Sequence, residues 1–174
     1  MYHGANRLGG NSLLAAIYSG HVAANAINTL AETKDCPNFE TYISEQEQVL
    51  EKRLQSKSRF SAVHVRHEIA KLLNDCLGIT RTEEKLLEGI KSVDYYISVS
   101  EKLIYDTDVS PYIGYSLKPM ILLARAILTS ALSRKETRGS HIREDYPQRS
   151  DEFALCSVCD YKNGEHHISY IKED

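Results

Sequence analysis

The sequence lacks the features that mark nucleic-acid-binding, membrane-spanning and disulfide-rich proteins. Its formal net charge at pH 7 is −3, so no basic excess indicates a nucleic acid or an anionic membrane as a partner. The longest apolar run, Met120 to Leu128, is far too short to span a membrane and contains Arg125, which favours a core helix. Reduced thiols in a cytoplasmic protein are expected, because the cysteines are few and scattered: Cys36, Cys76, Cys156 and Cys159.

The N-terminus does not read as an export signal. Arg7 precedes the apolar stretch LLAAIY, and Ala24-Asn25-Ala26 imitates a cleavage site. However, the apolar stretch is too short and its lead-in is too rich in glycine for a secretory signal. What remains is a chain of 174 residues without repeats, which is long enough to bury its own core.

Apolar residues recur at helical spacing in five segments, which predicts a mainly α-helical protein. Asn11 or Ser12 can cap the first helix, Thr80 and Glu83 have capping-box spacing for the fourth, and Gly78 ends the third. The predicted helices cover residues 13–30, 43–55, 61–78, 80–104 and 116–133.

Two of these helices allow finer predictions. The core side of the third is expected to carry Val63, Ile69, Leu72, Leu73 and Cys76. A loop with Pro111 and Gly114 is expected before the fifth helix, whose first turn would contain Pro119.

The C-terminal tail has a different pattern. Two β-like runs, residues 153–161 and 166–171, flank Asn163-Gly164, the strongest short hairpin signal. The predicted fold is therefore a helical bundle with a short C-terminal β-hairpin. We divide the chain into residues 1–32 (a glycine-rich loop with its helix), 42–136 (the bundle) and 137–174 (the tail with the hairpin).

The opening loop has the chemistry of a binding site. Its glycines let the backbone approach a ligand closely, and the helix that follows directs free N–H groups toward it. Arg7 can bind a carboxylate or phosphate with two parallel hydrogen bonds. Alone, such a loop is weak evidence, and a solvated surface arginine would be the better explanation.

Two motifs together resemble one known family. HGANRLGGNSLL near the start and ETRGSHIREDYPQRSDEF at residues 136–153 resemble segments of the flavoprotein subunits of succinate dehydrogenase and fumarate reductase, a family that includes L-aspartate oxidase. GITRTEEKLLEGI, at residues 78–90, is similar to a helix start between them. The resemblance implies FAD-dependent interconversion of succinate and fumarate, or of a similar dicarboxylate, by hydride transfer.

The resemblance also implies roles for single residues. Arg7 matches the arginine that binds a substrate carboxylate, with the Gly10 backbone nearby, while Asn11, Ser12 and Leu13 match residues at the flavin edge. A helix N-terminus there suits the negative charge that a reduced flavin gains.

Much of the family's site is not found in this sequence. No GxGxxG turn occurs, and the family's proton-donating arginine and substrate histidines have no counterpart here. The resemblance therefore implies the C-terminal part of a larger flavoenzyme, with no complete catalytic set and no FAD retained by this chain alone. Its partners would be an N-terminal FAD-binding domain, the dicarboxylate and an electron-transfer subunit, which could place the cytoplasmic enzyme at the membrane periphery.

The downstream motif carries Arg138, His141, Arg143 and Asp145. The resemblance implies that this segment packs the helical domain against the flavin domain, through paired charges rather than catalysis. Without that domain, we expect these side chains to be solvated or disordered.

No metal site is predicted. Cys156 and Cys159, followed by His166 and His167, imitate zinc-ligand spacing, but residues three apart in a strand point to opposite faces. His64 and His67 sit three apart on a helix without a third ligand.

A non-enzymatic alternative stays open. The chain could be a helical interaction module whose exposed docking face binds another chain or forms a homodimer.

Overall fold

The computed structural model describes residues 11–30, 38–55, 61–102 and 111–172. Along these residues run five α-helices and one antiparallel pair of strands. The elements are α1 (Asn11–Asn28), α2 (Glu40–Leu54), α3 (Ala62–Leu77), α4 (Glu83–Val99), α5 (Pro111–Ser133), β1 (Cys156–Lys162) and β2 (Glu165–Ile171). The predicted mainly α fold with a C-terminal hairpin is confirmed.

The hydrophobic core lies between α3, α4 and α5. Its members are buried apolar side chains of all three helices: Ala62, Val65, Ile69, Cys76, Leu86, Val93, Leu117, Ile121, Ala124, Leu128 and Ala131. Val63, expected on the core side, is 38% exposed, whereas Val65 is completely buried. Val65 lies four residues before Ile69, one helical turn away and on the same face.

Helix starts follow local capping chemistry with one correction. The Ser61 hydroxyl accepts a hydrogen bond from the His64 N–H at 3.3 Å and caps α3. For α4 the cap is Thr82, whose hydroxyl accepts from the Lys85 N–H at 3.3 Å. The prediction of Thr80 as the cap is wrong, because its hydroxyl donates to Glu144 Oε1 at 2.6 Å instead.

Helix α5 begins five residues before its predicted start. Pro111 occupies the first helical position, where its missing N–H costs nothing, so Pro111 and Gly114 belong to the helix rather than to a loop. Pro119 consequently lies inside α5, not in its first turn, and its side chain is exposed. Within the described residues, Tyr112–Ser133 is long and apolar enough to cross a membrane, yet its inner side supplies core residues, the pattern of a core helix.

The hairpin has the predicted turn. Asn163 and Gly164 both have positive φ, 54° and 85°, as a type I′ turn requires. In β2, His166, Ile168 and Tyr170 are half-buried and alternate with exposed residues, so one face of the strand packs on α5. Strand β1 starts three residues later than predicted, because Asp151–Phe153 forms a short 3-10 helix.

Helices α1 and α2 contribute no side chain to this core. The apolar stripe of α1 is exposed: Leu13 is 70% exposed, Ile17 64% and Ile27 65%. Helix α1 ends at Asn28, so Leu30, predicted as its last apolar residue, lies beyond the helix. Helix α2 starts three residues before its predicted first residue and contributes no buried side chain. Most of the apolar surface of α1 therefore lies uncovered in this chain.

Candidate functional site

Of the first predicted site, the glycine-rich loop and the start of α1, the structure describes only the start of α1. Arg7 and Gly10 lie outside the described residues. Asn11, Ser12 and Leu13 form the first turn of α1, with the side chains of Ser12 and Leu13 exposed. The N–H groups in the first turn of a helix have no intrahelical acceptor, so they can receive an anion or the electron-rich edge of a ring.

The second predicted site is a cluster of charged side chains in the segment that follows α5. We call it the arginine cluster; it consists of Arg134, Glu136, Arg138, Arg143 and Asp145. The expectation that Arg138, His141, Arg143 and Asp145 would be solvated or disordered without a flavin domain is wrong. All four form hydrogen bonds with side chains or backbone groups inside this chain.

Arg143 is the centre of the cluster. It is completely buried, and its Nε and Nη2 donate to the two carboxylate oxygens of Asp145 at 2.8 and 2.7 Å. Its Nη1 donates to the carbonyls of Ala131 at 2.9 Å and Leu132 at 3.2 Å, in the last turn of α5. The positive charge therefore satisfies carbonyl groups that a helix C-terminus leaves without partners.

Glu136 is the buried acid that joins two arginines. Its side chain is 0% exposed and accepts from Arg134 Nη1 at 2.7 Å and from Arg138 Nε at 2.7 Å. Arg138 Nη2 donates to the other carboxylate oxygen at 3.0 Å, and the Ser150 N–H adds a fourth bond to it, also at 3.0 Å. Burial raises the pKa of Glu136, but the hydrogen bonds from Arg138, Ser150 and Arg134 outweigh burial and lower it to about 2.

Asp145 connects the cluster to α4. Its Oδ2 accepts from the Glu83 N–H, at the first residue of α4, at 2.8 Å. The Arg143 guanidinium lowers the pKa of Asp145 to about 2, with the Glu83 N–H contributing in the same direction. Together, Arg143 and Asp145 fix the end of α5 to the start of α4.

His141 is neutral and structural in this arrangement. Its Nε2 lies 3.1 Å from the Arg134 carbonyl; because a carbonyl only accepts, Nε2 carries the proton. Burial lowers the pKa of His141, and the charges of Arg81, Arg143 and Arg134 lower it further.

Arg134 joins the hairpin to the bundle, a role that the sequence did not reveal. Its guanidinium donates to the carbonyls of Phe153 and Leu155, both at 2.7 Å, and lies 5.4 Å from the centre of the Tyr170 ring. The available signal was a basic residue directly after the end of a helix.

The cysteines and histidines of the C-terminal tail do not form a metal site among the described residues. Cys156 is half-buried and Cys159 exposed on the same strand. Within the described ranges, no three His, Cys, Asp or Glu side chains are grouped so as to hold a metal ion.

Most of the helical bundle, the hairpin and the arginine cluster lie in a part of the chain that one family model covers. Residues 66–173 match the family model described as fumarate reductase flavoprotein C-term. The chain belongs to this family.

Relatives match most of this chain, but only part of their own length. A succinate dehydrogenase flavoprotein subunit of Rickettsia conorii is 34% identical over 169 residues, 86% of this chain and 26% of that protein. An uncharacterized FAD-dependent oxidoreductase of Methanocaldococcus jannaschii is 30% identical over 155 residues, 87% of this chain and 28% of that protein. The chain thus spans little more than a quarter of these relatives.

Solved structures share the fold. Mycobacterium smegmatis Sdh1 in complex with UQ1 has a TM-score of 0.81 at 21% identity, covering 97% of this chain and 30% of that chain. A quinol-fumarate reductase with menaquinol molecules gives 0.79 at 23% identity, covering 97% and 32%.

Proposed function

We propose that this chain acts as the C-terminal portion of an FAD-dependent oxidoreductase that interconverts succinate and fumarate, or a similar dicarboxylate. The family match over residues 66–173 carries this proposal. The chain alone would be inactive, because catalysis needs groups held in mutual register and this sequence supplies only some of them.

The residue roles follow the resemblance and agree with the first turn of α1. Arg7 would bind one substrate carboxylate beside the Gly10 backbone, and Asn11, Ser12 and Leu13 would hold the flavin edge. The exposure of Ser12 and Leu13 at a helix N-terminus supports this assignment, because the free N–H groups there suit negative charge. When bound, FAD supplies hydride transfer; these residues orient it and stabilise its charge.

The exposed stripe of α1 would pack against the FAD-binding portion. Leu13, Ile17 and Ile27 are each more than half exposed, and exposed apolar surface of this kind marks an interface. In this proposal residues 1–32 complete the FAD-binding domain, 42–136 form the helical domain and 137–174 form the packing segment. Since Arg138, Arg143 and Asp145 bond inside this chain, they would act in packing by fixing the shape of that segment.

Further partners follow from the kind of enzyme proposed. The flavin must exchange electrons with a second redox centre, so an electron-transfer subunit is proposed as a partner. Such a subunit would hold the enzyme at the periphery of the cytoplasmic membrane.

The test compares two proteins. The purified chain is incubated with excess FAD, desalted and examined by visible absorption, and it should be colourless. The same chain, expressed with the reading frame upstream of Met1 in its genome, should retain flavin, and an Ile17→Asp change on α1 should reduce retention. Glu45→Ala, on an exposed position of α2, is the matched control and should not.

Two results would contradict the proposal. Stoichiometric flavin on the chain alone would mean that it builds its own cofactor site. An upstream region without an encoded GxGxxG would favour the second candidate, a non-enzymatic interaction module. The exposed stripe of α1 is the observation that favours this second candidate. In that case, sedimentation of the purified chain should show a homodimer, and Ile17→Asp should dissociate it.

A further inference from the structure

One edge of the Arg81 guanidinium faces no carboxylate within the described part of the chain. Its Nη1 donates to the Ser140 carbonyl at 3.0 Å. The opposite edge, formed by Nε and Nη2, is the edge that Arg138 uses to bind both oxygens of Glu136 and that Arg143 uses for Asp145. Two nearby arginines thus show the bidentate pairing that Arg81 lacks.

The backbone holds Arg81 firmly in this position. Its N–H donates to the Ile142 carbonyl at 3.0 Å, and its own carbonyl accepts from the Glu144 N–H, also at 3.0 Å. These two bonds pair residue 81 with the segment around residue 143 as an isolated parallel bridge. Little further ordering would be needed when a ligand binds.

The acids beside Arg81 in this segment are already engaged. Glu144 accepts from the Thr80 hydroxyl at 2.6 Å, and Asp145 binds Arg143 and the Glu83 N–H. Burial lowers the pKa of Arg81, and no carboxylate among the described residues counteracts it. A half-buried cation without a counter-ion is unfavourable, so an arriving carboxylate would restore the balance.

The surroundings favour an anion over a cation. Positive charges of Arg81, Arg143 and Arg134 all act on His141, which stays neutral. Beside it, Gly139 and Ser140 are exposed, and Gly139, which has a positive φ of 58°, brings no side chain to this turn.

We propose that the Nε–Nη2 edge of Arg81 is a docking site for an aspartate or glutamate side chain of the FAD-binding portion of the enzyme. The identity of this partner rests on the proposed function, whereas the carboxylate chemistry rests on the pairing geometry. A planar carboxylate matches two parallel N–H donors, as it does at Glu136 and Asp145.

The first experiment measures the chemistry in the isolated chain. The chain is labelled with ¹⁵N-arginine, and the side-chain Nε–H resonances are followed while sodium acetate replaces sodium chloride at constant ionic strength. The Arg81 resonance should move and saturate, those of Arg138 and Arg143 should stay fixed, and that of exposed Arg66 should drift without saturation. Arg81→Lys, which keeps the positive charge but removes the two parallel N–H donors, should abolish the saturating response.

Two outcomes of this titration overturn the site. An Arg81 resonance that behaves like that of Arg66 would show that the edge does not select carboxylates. Saturation by inorganic phosphate at lower concentration than by acetate would show a phosphate site instead.

The second experiment tests the partner. In the flavin-loaded protein expressed with its upstream region, the Arg81 resonance should no longer respond to acetate, because the edge is occupied. A response that persists there would overturn docking while leaving the flavoenzyme proposal intact. Failure of that longer protein to retain flavin would overturn the proposed function, and with it the partner assigned to Arg81.

Discussion

Arg143 and Asp145 form a paired-charge clamp between two helices. Two parallel hydrogen bonds of 2.8 and 2.7 Å join them. Arg143 also binds carbonyls at the C-terminus of α5, and Asp145 binds the Glu83 N–H at the N-terminus of α4. Each charge therefore lies at the helix end whose dipole it complements.

Replacing Arg143 by methionine should strongly destabilise the chain. The change leaves Asp145 without its partner, and methionine has no N–H group to bind the carbonyls at the end of α5. We therefore expect the free energy of unfolding to fall by roughly 3 kcal/mol. Urea unfolding followed by circular dichroism measures it. Arg149→Met, at an exposed position of the same segment, should change stability by less than about 0.5 kcal/mol. Equal losses in the two variants would show that the clamp contributes nothing.

The cluster should make stability fall in acid. Glu136 and Asp145 both have their pKa lowered to about 2 in the folded chain. A carboxyl group with a lowered folded-state pKa stabilises the fold above its unfolded value and loses that contribution as pH falls toward the folded value. Stability should therefore be level above about pH 5 and decline between about pH 5 and pH 2, by roughly 2–3 kcal/mol for the buried Glu136. The contribution of Asp145 should be smaller, because its side chain is 28% exposed and solvent screens its pairing with Arg143.

Urea unfolding midpoints across this pH range measure the decline. In Glu136→Gln the decline should be shallower, because one titrating group is gone, although the variant starts from lower stability. Glu152→Gln, at an exposed site nearby, should follow the unchanged chain. A Glu136→Gln curve parallel to that of the unchanged chain would refute the assignment.

Local signals predicted the hairpin turn and the end of α3. Asn163-Gly164 needs only its own backbone preference to form the turn, and Gly78 ends α3 with a hydrogen bond to the Asn74 carbonyl, four residues away. The α4 cap could not be chosen this way. Thr80 and Thr82 both suit a cap, and the choice depends on Glu144, which is 64 residues away.

The arginine cluster was only partly predictable for the same reason. The motif identified Arg138, His141, Arg143 and Asp145 as a unit of paired charges. Its burial depends on the Ala131 and Leu132 carbonyls, which meet Arg143 only after α5 has folded. Backbone acceptors carry no mark in the sequence, so their interaction with a side chain cannot be read from a motif.

The Thr129 hydroxyl offers a stabilising substitution. Among the described residues it is the buried side-chain oxygen that has no hydrogen-bond partner. Thr129→Val keeps the shape and removes the unpaired group, so stability should rise by about 1 kcal/mol. Thr137→Val is the matched control: the Thr137 hydroxyl accepts from the Arg143 N–H at 2.9 Å, and its loss should lower stability by about 1–3 kcal/mol. Thermal unfolding of both variants decides the matter, and a destabilised Thr129→Val would show that its hydroxyl is satisfied in solution.

Gly89 lies where α4 closely approaches α3 and α5. A Cβ added there would lie 3.0 Å from Cys76 Sγ and 3.2 Å from Leu128 Cδ2. Alanine favours a helix by about 1 kcal/mol over glycine, but crowding a packed core costs about 1–3 kcal/mol, so Gly89→Ala should be destabilising overall. A Cβ added at Gly20 on α1 would meet nothing within 4 Å outside the backbone of its own helix. Gly20→Ala should therefore raise stability by the helix preference of alanine alone.

A second substitution, at Cys76, separates the effect of crowding at Gly89 from the helix preference of alanine. Cys76→Ala removes Sγ, the atom nearest to the added Cβ, so the cost of Gly89→Ala should be smaller in that background than in the unchanged chain. The four proteins of this double-mutant cycle are compared by urea unfolding. Equal costs in both backgrounds would place the strain at the Cβ of residue 76 or at Leu128 Cδ2, each 3.2 Å from the added Cβ, or in the α4 backbone, and the Cys76 Sγ would then not limit packing.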